Sequence, residues 1–435
     1  MKILTIVVTW ILFAIAPAKA GESDTITLHN CREMAVSNFP TAKQGATYSA
    51  ILSDIRRNSQ TAWLPKMSLN AQASWQSEKI ELDIGQMLSA ATGIPGPNIP
   101  PYTIQEQDQY KFYTEISQMI YDGGAVKAGQ RIDEINYKID TQQVNTDVNK
   151  VLERINQIYF GILLYEKKLE LLNELEKNLS GKTADIESGI RHDALVQNDL
   201  DVLNTEILKI GQQITETRSD LSALIRALGV LTGQVIPGTA IFLSPEPQIP
   251  LKPQITRPEL DMLKLQKEKA DASYQIINTK YLPKVAGFGT LAYGKPSLNM
   301  FANEFDAWYI VGIKASWNIW DWNAGKRDKN IISLRKKLID AQAESFILTT
   351  TSALEQELQN QEKFELLIQS DNDIIKLQQR IVDNASSRLN NGVITASDYM
   401  KEVYALNAAK INLQIHRLSL QQSKINYLNL SGNSI

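Results

Sequence analysis

Trp63-Leu64-Pro65-Lys66 returns later in the chain as Tyr281-Leu282-Pro283-Lys284. A second pair of stretches follows downstream, Met119-Ile120-Tyr121-Asp122-Gly123-Gly124 and Asn318-Ile319-Trp320-Asp321-Trp322-Asn323-Ala324-Gly325. In each copy a helical pattern leads to the proline, two alternating segments follow, and a long heptad pattern begins after the aspartate. A duplicated sequence predicts a duplicated architecture, which here is a strand hairpin followed by a helical hairpin.

The duplication divides the chain into two predicted structural repeats behind a targeting segment. The first repeat is predicted to span 21–250, with an opening helix, a strand hairpin at 66–120, a helical hairpin at 124–228 and a linker at 229–250. The second is predicted to span 251–435, with a helix, a strand hairpin at 284–320 and a helical hairpin at 324–430.

Residues 1–20 are typical of a secretory signal peptide. Lys2 precedes an apolar run, and Ala18-Lys19-Ala20 forms a small-x-small cleavage site, so the mature chain is expected to begin at Gly21. Loss of the two signal lysines takes the formal net charge from −3 to −5. No basic tract remains that would bind nucleic acid.

The mature sequence contains no apolar run of the roughly 20 residues that a membrane helix needs. A secreted chain of this kind enters a membrane only through β-strands. The single cysteine, Cys31, cannot form an intramolecular disulfide, and a buried free thiol is the expected state.

The alternating segments have the length and polarity of transmembrane strands. Each runs to about 9 to 11 residues, with aromatic residues near its ends. In the first strand the apolar face carries Met67, Leu69, Ala71, Ala73 and Trp75, and the polar face carries Ser68, Asn70, Gln72 and Ser74. The segment Val285–Tyr293 is Gly-rich and the least polarised of the four. Sandwich strands are the alternative, although the polar faces would then have no role. Four strands cannot close a barrel, so several chains must share one.

The heptad runs predict long antiparallel helical hairpins. A helix from Gly124 to a turn at Gly189 would extend roughly 100 Å at 1.5 Å per residue, and a second helix would lead from Ala324 to a turn at Gly392. Several such hairpins around an axis make either a solid bundle or a hollow cylinder. Strands that continue into helices with the same repeat favour the hollow form. The apolar seam of the first helix consists of Val144, Val148, Val151, Ile155, Ile158, Ile162, Tyr165, Leu169 and Leu172.

These motifs, in this order, resemble the TolC family of outer-membrane efflux ducts over essentially the whole mature chain. The resemblance rests on the opening helix Leu28–Ala35, the two Leu-Pro-Lys motifs, the two aspartate turns and Arg388-Leu389-Asn390-Asn391-Gly392. It implies a homotrimer in the outer membrane of a Gram-negative cell, with a 12-stranded barrel and a 12-helix periplasmic tunnel. It further implies a passive exit duct for efflux or type I secretion, docked to a periplasmic adaptor and an inner-membrane pump.

The resemblance also assigns candidate site residues near the helix turns. Arg388, Leu389 and Gly392 match the turn that contacts the adaptor, and Gly189 marks the corresponding turn of the first repeat. Asp398 matches a carboxylate that rings the periplasmic entrance, with Lys401 one helical turn later and Asp193 at the first turn. The alternative for both aspartates is a helix-start carboxylate that interacts with the helix dipole.

A trimeric surface stalk or adhesin without a lumen is the competing function, and the polar strand faces argue against it. An enzyme is not expected, because His29, His192 and His416 lie outside any motif typical of a metal site or catalytic triad. His192 is a candidate pH sensor at the turn, and a solvated helix-end histidine is its alternative. The sequence predicts no cofactor and no metal.

Overall fold

The computed structural model describes residues 25–249, 254–299, 302 and 304–433. The predicted signal peptide and the expected mature start at Gly21 lie outside the described residues. The helices are α1 Leu28–Asn38, α2 Gln44–Thr61, α3 Ile84–Thr92, α4 Ala125–Arg191, α5 Gln197–Thr232, α6 Pro258–Thr279, α7 Ala324–Asn390 and α8 Ala396–Ser431. The strands are β1 Thr25–Ile26, β2 Lys66–Trp75, β3 Ile80–Leu82, β4 Tyr102–Gln105, β5 Asp108–Tyr121, β6 Ile241–Phe242, β7 Lys284–Lys295 and β8 Asp306–Ser316.

The described residues separate into two units, and each unit draws on both repeats. The helical unit comprises the described parts of 1–43, 144–258 and 347–435, and the sheet unit comprises 44–143 and the described parts of 259–346. The packing therefore follows a different division of the chain from the predicted repeat boundaries.

The sheet unit is built on four antiparallel strands in the order β2-β5-β7-β8. Both predicted hairpins are present, and β5 pairs with β7 to join them. The strands β2 and β8 each have one neighbour in this sheet, so both edges are open in the single chain. The alternation predicted for β2 leaves large apolar side chains exposed, with Met67 72% and Leu69 63% accessible.

An aspartate turn ends each hairpin and starts a long helix, as the repeated motif predicts. The Asp122 carboxylate accepts hydrogen bonds from the amides of Gly124 (2.8 Å) and Val126 (2.6 Å). Asp321 accepts from the Gly325 amide at 2.8 Å and from the Tyr281 hydroxyl. These bonds satisfy amides that a helix start leaves without intrahelical partners. Each aspartate therefore fixes where its helix begins.

The helical unit contains the long hairpins from residues 144 and 347 onward, and the predicted seam of the first hairpin is buried or half-buried along its length. Ile155, Ile162 and Leu203 are fully or almost fully inaccessible. Near the turns, α4, α5, α7 and α8 contribute to one apolar cluster, so the two hairpins pack against each other there. Its members include Leu172, Leu179, Ile186, Leu203, Ile210, Leu389, Met400 and Val403.

A second apolar cluster joins α1 to the hairpins around Tyr159. The Tyr159 hydroxyl lies 2.8 Å from the carbonyl oxygens of Ile26 and Leu243, beside the short parallel pair β1–β6. Cys31 is buried in this cluster as a free thiol, as expected, and burial raises the pKa of Cys31 to about 11. The α1 helix is thus anchored by packing and not by a disulfide.

Two local predictions need correction. The predicted strand hairpin at 66–120 is not a simple hairpin, because the connection between β2 and β5 contains the paired strands β3 and β4 and the helix α3. The chain also does not turn at Gly189, because α4 continues to Arg191. Among the described residues, none of the helices combines the length and the apolarity needed to span a membrane.

Candidate functional site

The candidate site consists of the two turns that join the long helices. One turn lies between Arg191 and Gln197, and the other between Asn390 and Ala396. Asp193 (φ 56°) and Gly392 (φ 65°) adopt the left-handed conformation at equivalent places in the two turns. Gly392 is therefore matched in the first repeat by Asp193, and Gly189 lies in the last turn of α4.

The two turns touch each other at Gly392. A Cβ atom at this position would lie 2.5 Å from the carbonyl oxygen of Ala194. Glycine is required here for two reasons, the left-handed backbone and the close approach of a second backbone. Leu389, one of the predicted docking residues, is fully buried beneath this contact. Its role in the chain is therefore to support the turn from inside.

Asp199, which the sequence analysis did not single out, links the two turns. Its carboxylate accepts a hydrogen bond from the Val196 amide at 3.2 Å and another from the Ala396 amide at 2.8 Å. One side chain thus satisfies an amide at the start of α5 and one at the start of α8. The sequence contained a signal for this residue, because Asp199 follows Asp193 by the same six residues that separate Asp398 from Gly392.

Replacing Asp199 with Ala is expected to loosen both turns. The Ala396 amide, in a residue only 1% accessible, would lose its acceptor, which costs about 1–3 kcal/mol. Amide hydrogen exchange of 192–199 and 391–398 should accelerate by about 5- to 150-fold. Asp201→Ala, at an exposed position of the same helix, is the matched control. Unchanged exchange in the Asp199 variant would contradict the linking role.

Asp398 lies at the start of α8 in a capping box. Its carboxylate accepts from the Thr395 hydroxyl (2.8 Å) and amide (3.2 Å), and its own amide donates to Thr395 Oγ1. These hydrogen bonds hold the pKa of Asp398 below its ordinary value, so the side chain is anionic at neutral pH. Asp398 is therefore a helix-start carboxylate. Because its carboxylate is also exposed and charged, it remains a candidate for the entrance.

The remaining predicted residues lie at the surface of these turns. Arg388, Lys401 and Asp193 are exposed. Arg388 and Asp398 line a groove of about 880 Å³ on the surface of α7 and α8, together with the exposed apolar residues Leu377 and Ile381. The groove therefore combines charged and apolar side chains beside the turn at Gly392.

His192 lies in the exposed turn after α4, and its amide donates to the carbonyls of Ser188 and Gly189. It is therefore a solvated residue at a helix end. Within the part of the chain that the structure describes, no group of three or more His, Cys, Asp or Glu side chains is arranged to hold a metal ion.

No protein-family model and no curated protein sequence matches this chain. Solved structures do match. The structure of CusC superposes with a TM-score of 0.69 at 14% identity, covering 95% of this chain and 94% of that one. The CmeC outer membrane channel of Campylobacter jejuni gives 0.66 at 14% identity, covering 93% and 85%. The chain has the TolC-family fold. The MtrE outer membrane channel of Neisseria gonorrhoeae, in an open state, gives 0.65 at 13% identity, covering 93% and 89%.

The TolC-family fold combines a long α-helical coiled coil with a transmembrane β-barrel and a two-fold internal repeat. This chain supplies four strands in one sheet and two long helical hairpins. The structures compared above are of channels and not of enzymes.

Proposed function

We propose that this chain is the outer-membrane exit duct of a tripartite efflux or type I secretion system. It acts as a homotrimer, extends into the periplasm and conducts substrates passively. A periplasmic adaptor and an inner-membrane pump select the cargo and supply the energy. The observation that carries the proposal is the open-edged sheet β2-β5-β7-β8 with its exposed apolar side chains.

The exposed apolar side chains of the sheet require lipid, and its open edges require strands from further copies of the chain. Met67, Leu69 and Trp75 on β2 are 63–72% accessible, as are Tyr309, Val311 and Ile313 on β8 at 73–74%. A soluble protein rarely exposes such a patch, whereas the outer face of a membrane barrel consists of apolar residues in this arrangement. In lipid, unpaired strand edges cost several kcal/mol per unsatisfied group. Pairing β2 of one copy with β8 of the next removes both edges.

The helix turns fit the adaptor-docking role assigned to them from the sequence. Arg388 provides an exposed guanidinium on a turn that Leu389, Gly392 and the Asp199 link hold rigid. Gly189 contributes by leaving space for the Leu195 side chain, 2.8 Å from where its Cβ would be. A rigid surface loses little conformational entropy on docking, which favours affinity.

The entrance role of Asp398 predicts a change in ion block. The Thr395 amide and hydroxyl both donate to one oxygen of Asp398, so Asp398→Asn keeps a single acceptor oxygen for the capping box and removes one negative charge per chain. If the three charges ring the entrance, block of the channel by divalent cations should weaken by about tenfold. Asp201→Asn is the control. An unchanged block in a folded Asp398→Asn trimer would leave Asp398 as a helix cap alone.

Proteoliposomes test the duct against the stalk alternative. Vesicles that hold the purified protein and a mixture of small and macromolecular fluorescent solutes should release the small ones and retain the large ones. A stalk without a lumen would retain both, even when the oligomer is inserted.

A further inference from the structure

One face of the sheet β2-β5-β7-β8 carries most of its charged side chains. The register places Ser68, Asn70 and Gln72 of β2 on the same face as the residues that pair with them across β5, β7 and β8. The charged members of this polar face are four lysines and two carboxylates, namely Lys66, Lys111, Lys284, Lys314, Glu115 and Asp306. Within these four strands, all of which the structure describes, the apolar face carries only Asp108 and Lys295, which lie 3.9 Å apart. The polar face therefore has a formal charge of +2 per chain, and the apolar face is neutral.

Three of the four lysines form a band at the end of the sheet that leads to the long helices. Lys66 and Lys284 are the first residues of β2 and β7. Lys314 lies two residues before the β8 residue that pairs with Lys284. Glu115 lies in the middle of β5, away from this end. The band therefore contains no carboxylate of the polar face.

The lysines of the band also have no partner of opposite charge. All three are exposed, and none makes an ion pair within 4 Å among the described residues. A lysine of the same unit that does pair lies elsewhere, since Lys79 meets Glu106 at 2.8 Å. The aspartates that follow β5 and β8 at this end, Asp122 and Asp321, accept hydrogen bonds from the amides of the helix starts. Like charges gathered without counter-charges favour an anion in the space that they face.

The fourth lysine, Lys111, is held over two aromatic rings in the other half of the sheet. Its Nζ atom lies 4.7 Å from the ring centre of Tyr113 and 4.9 Å from that of Trp308. Contact with aromatic faces positions the ammonium group and leaves its charge in place. Lys111 also lines a recess of about 350 Å³ with the side chains of Gln72 and Gln109. Ammonium and amide N–H groups are donors for an anion.

We infer that the strand region of the duct selects anions, so that the cargo of this chain consists of small organic anions. The inference rests on the proposed function, because the polar face lines a lumen only when several copies close a barrel. Pairing β2 of one copy with β8 of the next places Lys66 and Lys314 of neighbouring copies at the same end of adjacent strands. The band then continues around the lumen as a ring. Rings of basic side chains favour anions in a pore, and their field reaches about 8 Å at physiological salt.

Reversal potentials of single channels across a potassium chloride gradient test the inference. The channels are recorded in the Asp398→Asn background, which removes the charge of the proposed entrance. Chloride is expected to be more permeant than potassium. The triple variant Lys66→Gln, Lys284→Gln, Lys314→Gln should lower the chloride-to-potassium permeability ratio by roughly threefold or more, because each chain loses three positive charges from the lumen.

Glu115→Gln is the matched control of opposite sign, because it neutralises an exposed residue on the same face and should raise the ratio. Lys314→Gln alone is the milder variant if the triple substitution yields no folded trimer, and it should lower the ratio by a smaller factor. A preference for potassium in the Asp398→Asn channel overturns the inference. An unchanged ratio in the folded lysine variant also overturns it, and both results leave the duct in place.

Dye release separates failure of the inference from failure of the proposed function. Proteoliposomes of the Asp398→Asn protein are loaded with an anionic and a cationic fluorescent dye of similar size, and the anionic dye should leave faster. Equal release, or faster release of the cationic dye, overturns anion selection while the duct stands. Retention of both dyes by an inserted trimer overturns the proposed function, and the inference with it.

Discussion

Leu69→Arg should eliminate the folded oligomer from the outer membrane. Leu69 lies near the middle of β2, 63% accessible in the single chain, on the face that carries Met67 and Trp75. A lipid-facing Arg near the bilayer midplane costs about 2–4 kcal/mol, and the proposed trimer would hold three copies in one barrel. A penalty repeated in each chain is large compared with the typical net stability of a protein.

The control is the adjacent residue on the other face. Asn70→Arg places the same charge on the same strand. In the strand register Asn70 pairs with Tyr113 and Leu69 pairs with Thr114. The Asn70 side chain is expected to face the lumen, where a charge stays hydrated. The measurement is the amount of oligomer in outer-membrane fractions for both variants and the native chain. Equal amounts for the two variants would contradict the lipid-facing assignment of Leu69.

Arg388→Glu should abolish export while trimers remain in the membrane. Arg388 is exposed in the last turn of α7 and makes no ion pair within 4 Å among the described residues, so its reversal breaks no direct contact, although it removes a positive charge that acts on Asp398. Loss of a hydrogen-bonded charge at an interface typically costs about 2–5 kcal/mol, which lowers adaptor affinity by more than tenfold. Reversal adds repulsion to that loss.

Lys376→Glu is the control, because Lys376 is an exposed cation on the same helix, twelve residues before Arg388 and outside the groove, where it pairs only with exposed Asp373. Export in cells and channel conductance in bilayers should be measured for each variant. The expected pattern is normal conductance for both variants and lost export for Arg388→Glu only. Normal export by Arg388→Glu, or lost export by both variants, would remove Arg388 from the docking surface.

Much of the fold was predictable because its determinants are periodic. The seam positions Ile155, Ile162 and Leu203 are buried as the heptads predict, and the aspartate turns begin the long helices. The least polarised segment also formed a strand, because β7 pairs on both sides. Glycines in this part of the sheet leave room for neighbouring side chains. A Cβ atom at Gly312 of β8 would lie 2.9 Å from the ring of Phe288 in β7.

The details of the site were less predictable, because they depend on contacts between the two hairpins. The position of Asp199 follows from the repeat, but its bond to the Ala396 amide joins residues 197 positions apart. The left-handed Asp193 replaces the glycine that the second turn uses, and the glycine nearest to it in the first repeat, Gly189, lies four residues earlier, inside α4. Single-sequence periodicity carries no information on such pairings.

Single-channel recording in a planar bilayer tests the central claim, that three copies of this chain enclose a conducting lumen. The native protein and Asp199→Ala should be recorded side by side, because the variant loosens the turns that would hold the entrance closed. The account predicts discrete openings, more frequent in the variant, and block by divalent cations added from one side. An inserted, folded oligomer that conducts in neither form would contradict the account and favour a structural stalk.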